Sequence, residues 1–254
     1  MPVLVNTSYD SRISGYKFWI HLLGRECLTT LKAEVYYQRI YNVPVDKTPS
    51  SFSLLNTGST FTRFYPDSLV NNGVGRNFGV EVTLGRPLSN GYLFNFTASL
   101  YQSQYKGSDG VRRSTDLDGT YSFNTLLTKE WRLGSRNMLT IGAKASFAGG
   151  RRYGIIDYQA SQEQTQVVYL DDHRNEYQFK PYFRTDMRIS YRISLPKTKH
   201  EFVADITNIF NTRNVLRHSY VPDPLLANKG TIEKEYQLGF LPFVYYRFSF
   251  QLKR

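Results

Sequence analysis

Apolar and polar residues alternate one for one along most of the chain. Between Asn77 and Leu84, Phe78, Val80, Val82 and Leu84 interleave with Asn77, Gly79, Glu81 and Thr83. Successive side chains of a strand point to opposite faces, so each set would occupy one side of a ribbon. Tyr92, Phe94, Phe96, Ala98 and Leu100 repeat the pattern, as do Leu139 to Phe147, Met187 to Ile193 and Val244 to Leu252. Helical stripes at i, i+3 and i+4 are hard to find. The periodicity predicts an all-β, antiparallel chain with strands near residues 15–23, 30–41, 76–85, 92–104, 119–131, 138–148, 182–194, 201–210 and 241–253, and Val3 to Tyr9 as a tenth.

Alternation alone does not say what touches the apolar side. The runs continue for about 10 residues or more, longer than the five or six usual in soluble sheets and long enough to cross a bilayer at a tilt. The connections sharpen this. Arg86 to Gly91, Arg132 to Asn137 and Leu195 to His200 are six-residue turns, whereas Asn42 to Gly75, Tyr105 to Asp118, Gly149 to Pro181 and Asn211 to Glu235 run for 34, 14, 33 and 25 residues. Short turns alternate strictly with long loops, the build of an outer-membrane β-barrel with short periplasmic turns and long extracellular loops. A soluble sandwich has no reason to sort its connections this way.

The polar faces fit a hydrated lumen. Lys32, Glu34, Glu81, Asn95, Lys144, Asp186, Arg188, Arg192 and Asp205 are the expected lumen-facing residues, with opposite charges placed to pair across strands. Tyr92, Tyr121, Trp131 and Tyr246 are candidates for an interfacial aromatic girdle. Two residues break the pattern. Arg39 and Lys129 fall in the apolar sets, tolerable near an interface where long side chains snorkel.

Composition narrows the classes further. Aromatic residues make up 15% of the chain and mean hydropathy is negative, with no apolar run long enough for a membrane helix. The single Cys27 excludes an internal disulfide framework. The net charge of +11 is spread singly rather than in runs, which argues for a mixed solvated surface and against a nucleic-acid partner. Met1 is followed by no secretory pattern, so an exported form needs a beginning from elsewhere.

Catalytic and metal chemistry find little support. His21, His173, His200 and His218 show no ligand spacing, and the Asp171, Asp172, His173 and Glu176 cluster reads as a hydrated loop rather than a metal site. Asp116, Asp118, Asp171 and His173 are the loop groups available to a lip-mounted catalytic site, and nothing in the sequence positions them. No enzyme activity and no cofactor are expected.

From Leu31 onward the chain resembles the C-terminal part of the barrel of TonB-dependent outer-membrane receptors, particularly those with long outer loops from glycan-using Gram-negative bacteria. The resemblance rests on LKAEVYYQRIYNVPV (31–45), LVNNGVGRNFGVEVTL (69–84), YQSQYKGSDGVRRST (101–115), GTYSFNTLLTKEW (119–131), GGRRYGIID (149–157), YFRTDMRISYRI (182–193), DITNIFNTRNV (205–215) and GFLPFVYYRFSF (239–250). It departs at the end, where Gln251, Leu252, Lys253 and Arg254 follow the final aromatic. It implies a barrel of about 22 strands filled by an N-terminal plug. It also implies uptake of a nutrient ligand, such as a glycan or siderophore, driven by the TonB complex of the inner membrane.

On this reading residues 1–254 form one partial barrel domain, with 1–29 a poorly matched edge and the plug absent. Its partners would be outer-membrane lipid, the remaining barrel and plug, the TonB complex through that missing part, and a surface lipoprotein of the kind found in some relatives. In DITNIFNTRNV, Asn208, Asn211 and Asn214 are expected to bond backbone groups where a strand leaves the membrane. Ligand contacts are expected at Arg152, Tyr153, Tyr158 and Tyr177, aromatic and basic loop residues. Two alternatives stay open: a small self-closing porin-like or adhesion barrel, and a soluble β-sandwich binding module.

Overall fold

The computed structural model describes residues 12–23, 29–59, 68–225 and 229–250. Nine long strands form one antiparallel sheet: β1 (Arg12–Leu23), β2 (Thr30–Asp46), β3 (Leu69–Ser89), β4 (Tyr92–Lys106), β6 (Tyr121–Leu133), β7 (Asn137–Ala148), β10 (Tyr182–Ser194), β11 (Thr198–Thr207) and β14 (Leu241–Phe250). Each pairs with its neighbour in that order, with the short β5 (Arg112–Ser114) added to β4. The loops carry two further hairpins, β8 (Arg152–Tyr153) with β9 (Tyr177–Gln178) and β12 (Val215–Pro222) with β13 (Gly230–Tyr236). They also carry helix α1 (Tyr158–Gln164). No helix among the described residues is long and apolar enough to cross a membrane.

The nine predicted strands are present, with shifted ends. β2 and β3 run well past residues 41 and 76, because a bulge after Ile40, with Asn42 at φ 56°, realigns the chain and lets pairing resume at Val43 and Gly73. The Arg86 to Gly91 connection is a two-residue turn instead of six: Asn90 and Gly91 have φ 52° and 76°, a type I′ turn that matches strand twist. Val3 to Tyr9 and Cys27 lie outside the described residues. Tyr92 and Trp131 lie toward the short-turn end, but Tyr246 sits mid-strand opposite Phe202.

Register keeps like with like across the sheet. Leu31, Ala33, Val35 and Tyr37 of β2 stand opposite Leu84, Val82, Val80 and Phe78 of β3, and the row continues through Phe96, Ala98 and Leu100 of β4. It goes on through Phe123–Phe147–Phe183 and Ile141–Ile189–Ala204–Val244. A one-residue slip at any ladder would turn one strand's apolar set to the other face. Among the described residues no second sheet covers this row: Phe18, Val35, Leu100 and Val244 are all more than half exposed. Among the described residues, β1 and β14 are the two edges of the sheet.

Buried residues gather at the long-loop end. Val43, Val45, Tyr105 and Phe179 are buried there, together with polar Ser51, Ser53, Asp118, Ser161, Asn175 and Asn214. Gly149 marks the exit into this cap, since a Cβ there would lie 1.6 Å from the Gly119 carbonyl oxygen. The loops therefore form a packed layer over one end of the sheet.

Candidate functional site at the loop end

The cap is assembled by polar side chains bonding backbone. Asn208, at φ 51° and fully buried, donates to the carbonyls of Thr212 and Leu238 and accepts from the Thr212 N–H. Asn211 accepts from Phe240 N–H at 3.0 Å, and Asn214 exchanges two bonds with the Phe183 backbone at 2.9 and 2.8 Å. These three asparagines tie the β11 exit to β10 and the start of β14. Asp118, also fully buried, accepts from Ser103 N–H at 3.2 Å, while Arg152 Nε donates to its carbonyl at 3.0 Å.

Helix α1 is short and held from both ends. Asp157 caps its start by accepting from Ala160 N–H at 3.0 Å, and Thr165 ends it in the left-handed region. Gln162 then docks it on the β12–β13 hairpin, donating to Gly230 O at 2.7 Å and accepting from Tyr220 OH at 2.8 Å.

Between this hairpin, the segment following α1 and the β8–β9 pair lies a cleft of about 690 Å³. Arg151, Arg152, Arg174 and Arg217 line it, against Asp116 and Glu235. Arg217 is paired with Glu235 at 2.7 Å, and Arg152 lies 3.9 Å from Asp118. Arg174 sits 5.1 Å over the Tyr169 ring, and Arg151 donates to the Leu216 carbonyl at 3.5 Å. Among the described residues neither has a carboxylate ion pair, so the cleft carries an unneutralised positive excess.

An aromatic stack backs the cleft. Tyr153 stacks on Phe179 at 4.4 Å and Tyr177 at 5.7 Å, and His218 meets Tyr153 and Phe179 edge-on at 5.0 and 4.9 Å. Tyr169 OH lies 3.1 Å from His218 Nδ1. Burial, reinforced by Lys234, holds the His218 pKa below its ordinary value, and burial pushes the Tyr169 hydroxyl up to about 12. A neutral imidazole therefore meets a protonated phenol.

Of the four residues expected to contact ligand, Arg152 lines the cleft. Tyr153 and Tyr177 belong to the stack behind it, and Tyr158 is exposed at the start of α1 and does not line it. Arg151, Arg174, Tyr169, His218 and Tyr220 line the cleft without standing out in the sequence. Their only sequence signal is a concentration of Arg and Tyr in loops, because the β12–β13 hairpin that brings them together is short and irregular. The loop carboxylates are engaged in structure: Asp116 accepts from Asn175 at 2.8 Å, Asp171 from Ser51, and His173 pairs with Glu176 at 2.6 Å. No group of three or more potential metal ligands occurs among the described residues.

The nine polar-face residues share the side of the sheet opposite the apolar row. Glu34 pairs with Lys17 at 2.8 Å and Lys32 at 3.0 Å, and it stands opposite Glu81, which accepts from Ser99. Asp186, cross-strand to Lys144, binds Arg184 at 2.7 Å and Asn208 N–H at 2.9 Å. Arg188 pairs with Asp205 at 3.5 Å, and Glu201 bridges Arg192 and Arg247 at 3.3 and 3.2 Å. Asn95 lies on the same face opposite Leu126.

No protein-family profile matches this sequence, and no curated protein sequence is detectably similar. Among solved structures, the chain is similar to the ferric-catecholate import receptor Fiu of Escherichia coli K12 in its closed form, at a TM-score of 0.54 and 13% identity, covering 94% of this chain and 27% of that one. The chain thus spans about a quarter of the receptor it matches. At that identity the likeness is one of fold, and the fold is an antiparallel β-barrel wall of the kind that receptor is built from.

Proposed function

We propose that this chain forms part of the wall and outer loops of an outer-membrane, TonB-dependent receptor of a Gram-negative bacterium, which takes up a scarce nutrient ligand. The apolar row faces lipid, the paired charges face the lumen, and the long loops face outward. The remaining barrel, the plug and the contact with the TonB complex belong to sequence outside this chain. One observation carries the reading: nine strands in simple meander order keep a single exposed apolar row in register, with connections sorted by length. A self-closing barrel is disfavoured because, among the described residues, β1 and β14 do not pair with each other, and unpaired backbone groups in lipid each cost roughly several kcal/mol. A sandwich is disfavoured by the uncovered apolar face.

The cleft favours a siderophore over a neutral glycan. Four arginines against two carboxylates, beside Tyr169 and Tyr220, suit an anionic ligand with flat groups. The neighbour's ligand, a ferric catecholate, has that chemistry. In this reading Arg151, Arg152 and Arg174 are the contact residues, with Tyr153 and Tyr177 supporting them. Membrane fractionation with a heat-dependent gel shift tests the wall. Isothermal titration with a ferric tris-catecholate and with a neutral oligosaccharide tests the cleft. Arg151→Ala with Arg174→Ala should weaken the anionic ligand about tenfold or more. Preference for the neutral sugar, unchanged in the variant, would overturn the ligand assignment.

A further inference from the structure

The two cations that broke the apolar pattern mark opposite borders of the exposed band. On β3 the lipid-side residues Phe78, Val80, Val82 and Leu84 are bracketed by Arg76 and Arg86. Ten steps of about 3.4 Å, tilted by about 40–45°, give a height of roughly 24–26 Å, the height of an outer-membrane apolar band. At the short-turn border, Lys129 Nζ sits 3.3 Å from the Tyr92 ring centroid and donates to the Asn90 carbonyl, so that cation is already accommodated.

The long-loop border differs. Arg39, Arg76 and Gln104 are direct cross-strand neighbours on β2, β3 and β4, and Lys106 and Arg112 are paired just above them on β4 and β5. All five share the parity of the apolar row and line one hollow of about 200 Å³. Arg76 donates to Gln104 Oε1 at 2.6 Å, and Arg39 lies over the Tyr41 ring. Among the described residues none of the four cations has a carboxylate ion pair. Two arginines directly opposite each other repel, and an anion between them relieves that.

We propose that this hollow binds a phosphate group on the head of an outer-leaflet glycolipid, with Arg39, Arg76, Lys106 and Arg112 as its donors. The inference rests on the outer-membrane reading above, because only a wall with its long loops outward places these residues at the outer head-group level. A lipid is favoured over a free anion because the hollow opens on the lipid side, directly above Tyr37 and the apolar row. Arginine forks match phosphate oxygens, and the low dielectric beside the tails strengthens the contact.

The test uses the full encoded chain, expressed in a Gram-negative host and extracted in mild detergent. Native mass spectrometry then follows binding of bis-phosphorylated lipid A, its dephosphorylated form and inorganic phosphate. Phosphorylated lipid A should bind at least about tenfold better than the dephosphorylated form, and Arg39→Gln with Arg76→Gln should abolish most of that preference. The Arg39→Lys, Arg76→Lys pair, which keeps charge, should retain most of it. Equal binding of the two lipid forms, or competition by inorganic phosphate at equal concentration, overturns the proposal. A retained heat-dependent gel shift shows that a variant is folded. A protein recovered without detergent in the soluble fraction sinks the receptor reading itself, whereas a membrane-bound protein lacking the preference sinks only the lipid site.

Discussion

The sheet and the loop cap are built on opposite principles. In the body of the sheet few side chains are buried, Glu34, Ser190, Glu201 and Val203 among them, and order comes from a regular backbone ladder whose two faces meet different surroundings. In the cap, the buried groups are mainly polar, and many are held by specific partners, as with Asp118 Oδ1, Asn175, Asn208 and Asn214. A wall can leave its apolar side chains uncovered if lipid covers them. A cap standing in water must satisfy most of its buried donors and acceptors internally, which fixes its shape but leaves it with little apolar core. The two regions should therefore fail under different insults.

The largest expected effect is a charge placed in the apolar row. Val80 stands between Val35 and Leu100 in the middle of the band. Val80→Arg should cost about 2–4 kcal/mol of folding in lipid. Its neighbour Glu81 faces the other way, opposite Glu34, so Glu81→Arg should change stability by only about 0.5 kcal/mol. Urea titration of protein folded in vesicles, followed by the gel shift, compares the two. Equal losses would mean that the faces do not see different media.

Next comes Asp118→Ala, which strips Ser103 N–H of its acceptor and Arg152 of its nearby carboxylate. The loss should be about 1–3 kcal/mol and confined to the cap. Hydrogen exchange should rise across loop residues 115–120 and 149–181 while β6, β7 and β10 stay protected. Opening of the sheet amides as well would show that cap and wall unfold as one unit, erasing the distinction.

The same contrast explains what could be read from sequence. Strands β4, β7 and β10 were legible almost to the residue because a period of two runs through them uninterrupted. β2 and β3 were read short because Asn42 and the bulge beside it break that period, and the chain beyond resumes pairing in a new register. The asparagines of DITNIFNTRNV were legible as backbone binders because short polar side chains favour such bonds and the left-handed conformation. The cleft was not. Arg151 and Arg174 are separated from Arg217 by long stretches of chain, and the docking of Gln162 on Tyr220 and Gly230, with the Arg151–Leu216 and Tyr169–His218 contacts, brings the hairpin to them. Cap contacts of that kind carry no period, so nothing in the sequence shows that Arg152 lines the cleft while Tyr158 lies outside its lining.

The smallest effect, and the one that separates the regions most cleanly, is acid. His218 is wedged against Tyr153 and Phe179, lies 3.1 Å from the Tyr169 hydroxyl, and has Lys234 across the hairpin and Arg174 over the Tyr169 ring. Burial first, and Lys234 second, lower its pKa below 6.5, so the folded cap prefers the neutral ring while the unfolded chain takes up a proton at the ordinary value. A group depressed in this way contributes stability above about pH 6.5, and that contribution is lost as the pH falls through the folded value. Hydrogen exchange of Val215–Pro222 and Gly230–Tyr236, corrected for intrinsic rates, should therefore report easier opening at pH 5.5 than at pH 7.5. His218→Phe, which keeps the edge-on ring contacts and cannot titrate, should flatten the difference. A pH dependence that survives in His218→Phe would move the acid sensitivity to another group and leave the imidazole as packing alone.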